Sequence, residues 1–227
     1  MAYDQEKAFA FERAEQSFMQ KVYQWMAAGL AVTGFVAMAV ASSPALLRAL
    51  YGGLFFVLVL VELGLVFWLS SQALKLSPQT AITGFLVYSA LNGLTLSYIF
   101  IIYTATSIST VFFLAAGTFI GVSLFAWMTR ADLSSFGGFF MMLLIGIILA
   151  SLVNIFLRSP VLYWIISYVG VALFIGLTAY DTQKLKAIHQ SGVGSTDQMA
   201  ILGALILYLD FINLFIMLLR IFGRRRS

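Results

Sequence analysis

The chain has 227 residues, of which 62% are hydrophobic and only 10% are charged. Soluble domains are about 25% charged, so this composition excludes a soluble globular protein and predicts an integral membrane protein. The chain has no cysteine, which excludes disulfides and thiolate metal sites. The net charge of +4 does not indicate nucleic-acid binding, because the basic residues lie at segment ends and in the tail, where they set membrane orientation.

Seven apolar stretches are long enough to cross the hydrocarbon core of a bilayer, which takes about 20 residues of helix. They cover residues 22–41, 50–71, 79–103, 108–128, 137–157, 161–188 and 199–222. We therefore predict an all-α integral membrane protein with one seven-helix transmembrane domain at 22–222. A polar leader, residues 1–21, precedes this domain, and a basic tail, residues 223–227, follows it. The first stretch could also be a cleaved signal peptide, but its length favours a retained helix.

Serine and proline pairs predict where helices begin. A serine can cap a helix, and proline is favoured at the first helical position. A similar cap, "STDQ", stands at 195–198, directly after the loop sequence "HQSGVG". The three pairs are Ser43–Pro44, Ser77–Pro78 and Ser159–Pro160.

The distribution of lysine and arginine predicts a cytoplasmic N-terminus. With that orientation the outer loops hold only Arg48 and Arg158. The tail is an exception, since its arginines would lie outside if the last segment spans; the alternative is a last segment that re-enters and returns. The inner positions are Lys7, Arg13, Lys21, Lys75, Arg130, Lys184 and Lys186, and the tail holds Arg220, Arg224, Arg225 and Arg226.

Three carboxylates lie inside the predicted spans: Glu62, Asp181 and Asp210. A charge at this depth costs roughly 2.5 kcal/mol or more, so such residues mark functional sites by default. A short loop makes the last two helices antiparallel neighbours. Counted from the centre of that loop, Asp181 and Asp210 differ in height by only about 6 Å at 1.5 Å per residue. A facing pair is therefore allowed.

Two carboxylates that face each other in a dry bundle would share a proton, and its loss would add repulsion at a packed helix contact. This arrangement would act as a pH switch. Once ionised, the pair would also offer the hard oxygen ligands that suit Ca²⁺. In the alternative interpretation each aspartate merely bonds a serine, asparagine or arginine elsewhere in the bundle.

Other polar residues give weaker signals. Small and polar residues recur at helical spacing in the third and fifth segments, which indicates helix packing with asparagine as an interhelical bond. Asn92 or Thr95 could instead line a pore. Asn213 lies one turn beyond Asp210, and His189, the only histidine, is expected in a solvated position at a helix end. In the third segment these residues are Gly84, Tyr88, Asn92 and Thr95, and in the fifth they are Gly146, Ala150 and Asn154.

The sequences "LYLDFINLFIMLLRIFG" at 207–223 and "AYDTQKLK" at 179–186 resemble the paired signature of the Bax inhibitor-1 family. The sequences "FW" at 67–68 and "LNGLTLS" at 91–97 fit as well. The resemblance covers nearly the whole chain, and the absence of cysteine and the short leader are similar to the bacterial branch. It implies six helices around a central, apolar seventh.

The resemblance also implies a pH-sensitive calcium leak through the bacterial inner membrane, with Asp181 and Asp210 as sensor, gate and transient Ca²⁺ ligands. Glu62, Asn92 and Asn213 are candidates for the ion path. The family pattern has a basic latch near the end of helix two, a position that here falls to Lys75 or to no residue. Bacterial members further resemble modulators of a membrane-bound AAA protease.

Three functions follow from these features. The first is a cation leak channel or proton-coupled Ca²⁺ transporter, without a cofactor. The second is a non-conducting regulator that binds other membrane proteins through the leader. The third, an intramembrane aspartyl protease, is disfavoured because Asp210 lacks a flanking glycine, so we expect no enzyme activity. A retinal protein is excluded because the last span has no lysine for a Schiff base.

Overall fold

A computed structural model describes residues 2–72, 75–129, 131–190 and 195–226. The predicted loop at 191–194 and Arg130 lie outside the described residues, as does the side chain of Lys7. The described chain is helical apart from turns and an isolated antiparallel bridge between Tyr103 and Arg225. Its α-helices are α1 (Ala2–Ala41), α2 (Pro44–Ala49), α3 (Phe55–Gln72), α4 (Pro78–Leu96), α5 (Ile99–Ile102), α6 (Ala105–Met128), α7 (Gly137–Leu157), α8 (Pro160–Gln190) and α9 (Thr196–Phe222).

The prediction of seven spans is confirmed, because seven helices of the described chain are long and apolar enough to cross a membrane. The largest differences from the prediction are at the starts of the first two spans. The first span begins at Glu12 rather than residue 22, since α1 already begins at Ala2. The second span begins at Phe55 rather than residue 50, since 50–54 form a π-turn in which Gly53 has φ 136°. The third span, Pro78–Ile102, agrees with the predicted 79–103. Within it helix α4 ends at Leu96, where the buried Ser97 hydroxyl donates to the carbonyl of Leu94 at 2.6 Å.

The predicted helix starts are confirmed. In each case a serine hydroxyl accepts a hydrogen bond from a backbone N–H three residues ahead, which satisfies one of the donors left free at a helix start. The bonds run from the N–H groups of Leu46, Thr80, Leu162 and Gln198 to the hydroxyls of Ser43, Ser77, Ser159 and Ser195.

The last helix is the most buried of the seven. In α9, 72% of the most apolar window is buried, against 6% to 39% in the other six. This agrees with the predicted enclosure of the last helix. The helix is also uninterrupted over 27 residues, a length of about 40 Å. The alternative of a re-entrant last segment is therefore wrong.

The helices fall into two compact units. The first comprises residues 1–101 and 185–208, and the second comprises 102–184 and 209–227. In the first unit α1 and α4 approach closely at Gly93, where a Cβ atom would lie 2.7 Å from the carbonyl oxygen of Thr33. In the second unit the tail returns to the start of α6, because the N–H of Arg226 donates to the carbonyl of Ile102.

Two of the weaker expectations are wrong. Gly146 has open space where a Cβ would stand, so no helix of the described residues approaches it closely. The side-chain oxygen of Asn154 accepts from the N–H of Ser159, just beyond the end of its own helix. His189 is not solvated but half-buried, stacked on Phe18 with ring centroids 4.4 Å apart. The packing expectation holds at Gly84, which lies against Leu69 of α3.

Candidate functional site

Asp181 of α8 and Asp210 of α9 lie together in the second unit. Asp181 is 8% exposed and Asp210 is 5% exposed. Their carboxyl groups lie close enough for a side-chain hydrogen bond between them. A carboxylate is only an acceptor, so this bond requires a proton on one of the two groups.

The threonine hydroxyls nearest to Asp181 in the sequence do not donate hydrogen bonds to this pair. Thr178 and Thr182 are fully buried on α8, but each donates its single hydroxyl hydrogen to a carbonyl of its own helix, at 2.7 Å in both cases. The Asn213 amide likewise donates to the carbonyl of Leu209 at 2.8 Å. Atom Oδ2 of Asp210 is buried and receives no hydrogen bond from a donor group of the described residues. The structure therefore does not support the interpretation in which each aspartate bonds an unrelated polar residue.

Lys184 is a member of this site that the sequence analysis did not single out. It lies one helical turn after Asp181 on α8 and is exposed. Its positive charge interacts electrostatically with both carboxyl groups. Its ammonium lies 5.6 Å from the centroid of the Tyr180 ring. The available signal was the spacing in "YDTQK", which puts a cation three residues from the aspartate on one helix face.

The pair can hold a proton, and it can offer a passing cation up to four carboxylate oxygens. Ca²⁺ takes six to eight oxygen ligands, so water would have to supply the remainder. Among the described residues there is no group of three or more histidine, cysteine, aspartate or glutamate side chains that could hold a metal ion.

Glu62 lies in the first unit, half-buried on α3. Its Oε1 accepts a hydrogen bond from the Thr95 hydroxyl on α4 at 3.0 Å. The phenol groups of Tyr88 and Tyr208 lie near enough to interact electrostatically with this carboxylate. Asn92 is buried and hydrogen-bonded to Tyr88, and its Oδ1 has no partner among the described residues. Glu62 and Asn92 thus belong to one polar cluster, which also contains Thr95.

Lys75, the candidate latch, lies in the first unit in the turn before α4. Its side chain is exposed, and its backbone N–H bonds the carbonyl of Gln72 at 2.7 Å. No carboxylate of the described residues lies within ion-pair distance of it. Its role as a latch stays a prediction.

The family profile described as "Inhibitor of apoptosis-promoting Bax1" matches residues 15–227. The chain belongs to the Bax inhibitor-1 family. Several similar proteins match most of the chain. The inner membrane protein YbhL of Escherichia coli strain K12 is 51% identical over 217 residues, which is 93% of each chain. An uncharacterized protein of Borreliella burgdorferi is 42% identical, and the match covers 94% of both chains. An uncharacterized protein of Deinococcus radiodurans is 43% identical, and the match covers 92% of this chain and 91% of that protein.

Proposed function

We propose that this protein is a pH-gated cation leak, with Ca²⁺ as its main cargo, and that Asp181 and Asp210 form the gate. The observation that carries the proposal is the close approach of these two buried carboxyl groups on helices that span the membrane. A shared proton links α8 to α9 at that point. The same contact becomes repulsive when the proton leaves, so the helix packing has two states that pH selects.

The two states follow from elementary electrostatics. At low pH one proton bonds the carboxyl groups and the helices stay in contact. As pH rises the proton is lost, and two negative charges then face each other with little water to screen them. Lys184 can offset one of them, and an entering divalent cation can offset both. When α8 and α9 separate, the two negative charges therefore also attract cations to the gate.

We assign secondary roles in cation movement to Glu62, Asn92 and Asn213. These three side chains carry oxygen atoms that could replace part of the hydration shell of a moving cation. The same carboxyl pair serves either passive Ca²⁺ leakage or the exchange of Ca²⁺ for protons. Exchange arises if each Ca²⁺ that the pair accepts displaces a proton from it. We place the protein in a bacterial inner membrane with its N-terminus in the cytoplasm. The name of the Escherichia coli relative and the distribution of lysine and arginine support this placement.

Ca²⁺ flux into proteoliposomes between about pH 6 and about pH 8 tests the proposal. The wild type should conduct more as pH rises. In Asp210→Asn the pair carries one ionisable group instead of two, so the repulsion cannot develop and the flux should lose its pH dependence. Asp181→Asn should behave in the same way. Asp132→Asn is the matched control, because Asp132 is an exposed acidic residue outside the spans.

A flux in Asp210→Asn that keeps the pH profile of the wild type would exclude the gate. Absence of Ca²⁺ flux in the wild type at every pH would exclude the channel and favour the second candidate, a regulator of other membrane proteins. In that case deletion of the first 11 residues, which precede the first candidate span at Glu12, should abolish recovery of a specific membrane partner.

A further inference from the structure

A cavity of about 500 Å³ lies at one end of the first unit, between α1, α4 and α9. This volume falls within the range of small-molecule sites, roughly 300–1,000 Å³. The cavity is at the polar end of the spans, because its walls include Pro78, the first residue of α4, and Asp197, the second residue of α9. That level corresponds to the headgroup region of a bilayer.

The wall of the cavity carries both signs of charge. The Lys21 ammonium and the Asp197 carboxylate lie 2.7 Å apart, and their side chains are 43% and 59% exposed. Two side-chain amides, Gln24 and Gln79, and the indole of Trp25 complete this rim. Tryptophan is enriched at membrane interfaces, where its ring suits a boundary between apolar and polar surroundings.

The deeper part of the cavity is apolar. Ala28, Ile82 and Ile201 line it, each about one turn further along its helix than a polar rim residue. A ligand that matches both parts needs a compact head with a positive and a negative group, attached to an apolar chain. A phosphoglycerolipid with an ammonium headgroup has this composition.

We propose that this cavity binds one zwitterionic phospholipid of the phosphatidylethanolamine class from the adjoining leaflet. The lipid phosphate takes the place of Asp197 at the Lys21 ammonium, and the lipid ammonium binds the freed Asp197 carboxylate. The exchange is feasible because an exposed ion pair contributes little to stability. The glycerol and the first carbons of the chains lie against Ala28, Ile82 and Ile201. An anionic lipid without an ammonium group fits less well, since it would leave Asp197 facing the phosphate.

Thermal unfolding of the full chain, purified in detergent without phospholipid, tests this site. Dihexanoyl phosphatidylethanolamine should raise the unfolding temperature to saturation, at roughly tenfold lower concentration than dihexanoyl phosphatidylglycerol. In Asp197→Asn the order should reverse, because Lys21 is then unpaired and attracts the anionic lipid. In Lys21→Gln the stabilisation by phosphatidylethanolamine should weaken roughly tenfold.

Two further variants examine the apolar part of the cavity and provide a control. Ala28→Phe fills the apolar part and should reduce the response to both lipids, while Arg13→Gln, an exposed charge earlier on α1, should respond like the wild type. Equal stabilisation of the wild type by both lipids would overturn the proposal, as would an unchanged order in Asp197→Asn. Equal stabilisation by phosphoethanolamine alone would show that a free headgroup, and not a lipid, occupies the site. The result is independent of the proposed Ca²⁺ leak.

Discussion

Lys184 lies one turn beyond Asp181 on α8, and its positive charge acts on Asp181 and on Asp210. A cation at this position stabilises the ionised form of the pair. It therefore influences the pH at which a gate built from the two carboxyl groups would open.

Replacement of this cation should change the pH dependence of the proposed flux. In Lys184→Met the ionised pair loses its compensating charge, so a higher pH is needed to remove the shared proton. We expect the midpoint of the Ca²⁺ flux to move upward by about one pH unit or less, since Lys184 is exposed and partly screened. Lys184→Arg keeps the charge and should keep the midpoint. An unchanged midpoint in Lys184→Met would exclude an electrostatic role for this residue.

Gly93 allows the close contact between α1 and α4 in the first unit. An added Cβ would meet the Thr33 carbonyl oxygen at 2.7 Å and the Val36 Cβ at 2.8 Å, both of which are too short. We expect Gly93→Ala to lower the free energy of unfolding by about 1–3 kcal/mol. Gly34→Ala is the control on α1, because nothing lies within 4 Å of its added Cβ; it should be neutral or stabilising by up to about 1 kcal/mol. Denaturant titration in mixed micelles measures both, and equal effects would contradict the packing argument.

Gln198 connects the start of α9 to the turn before α4. Its Oε1 accepts from the N–H and the hydroxyl of Ser195 at 3.1 Å and 3.0 Å, and its Nε2 donates to the Leu76 carbonyl at 2.6 Å. Ser195→Ala should cost about 1 kcal/mol of stability, as for other helix caps. Gln198→Ala should cost more, because it removes both connections. Gln198→Glu keeps the acceptor for Ser195 and removes the donor, so its unfolding free energy, compared with that of the wild type, measures the bond to Leu76.

Tyr103 lies between α5 and α6, outside the spans, and only 7% of it is exposed. Burial, together with a hydrogen bond to Tyr163, raises the pKa of Tyr103 to about 12 from an ordinary value of about 10. Above about pH 10 the unfolded chain loses this proton while the folded chain keeps it. The stability linked to Tyr103 is thus fully present below about pH 10 and is lost as pH rises toward about 12.

In Tyr103→Phe no proton can be lost at this position. We expect the variant to lose less stability than the wild type between about pH 10 and about pH 12, measured by thermal unfolding at each pH. Tyr23→Phe serves as a control on a half-buried tyrosine of the first unit. If the two variants and the wild type lose stability in parallel, Tyr103 does not contribute to the alkaline transition.

Local features of the sequence were sufficient for the number of spans and for the helix starts. A span is a run of apolar residues, and a start such as Ser77–Pro78 or Ser195 is formed by a side chain and a backbone group three residues apart. Breaks inside apolar sequence were not predicted. The π-turn at 50–54 and the break after Leu96 both interrupt chain that is apolar on each side.

For the candidate site the sequence determined which acids lie at membrane depth and, through the rise per residue, that Asp181 and Asp210 could lie level. It did not determine which way each side chain points, because helix rotation depends on all the contacts of a helix at once. Only the tertiary structure decided that the two carboxyl groups meet. It also decided that Glu62 meets Thr95, 33 residues further along the chain, and that the tail returns to Ile102. Such contacts join distant positions, and no pattern within a single helix records them.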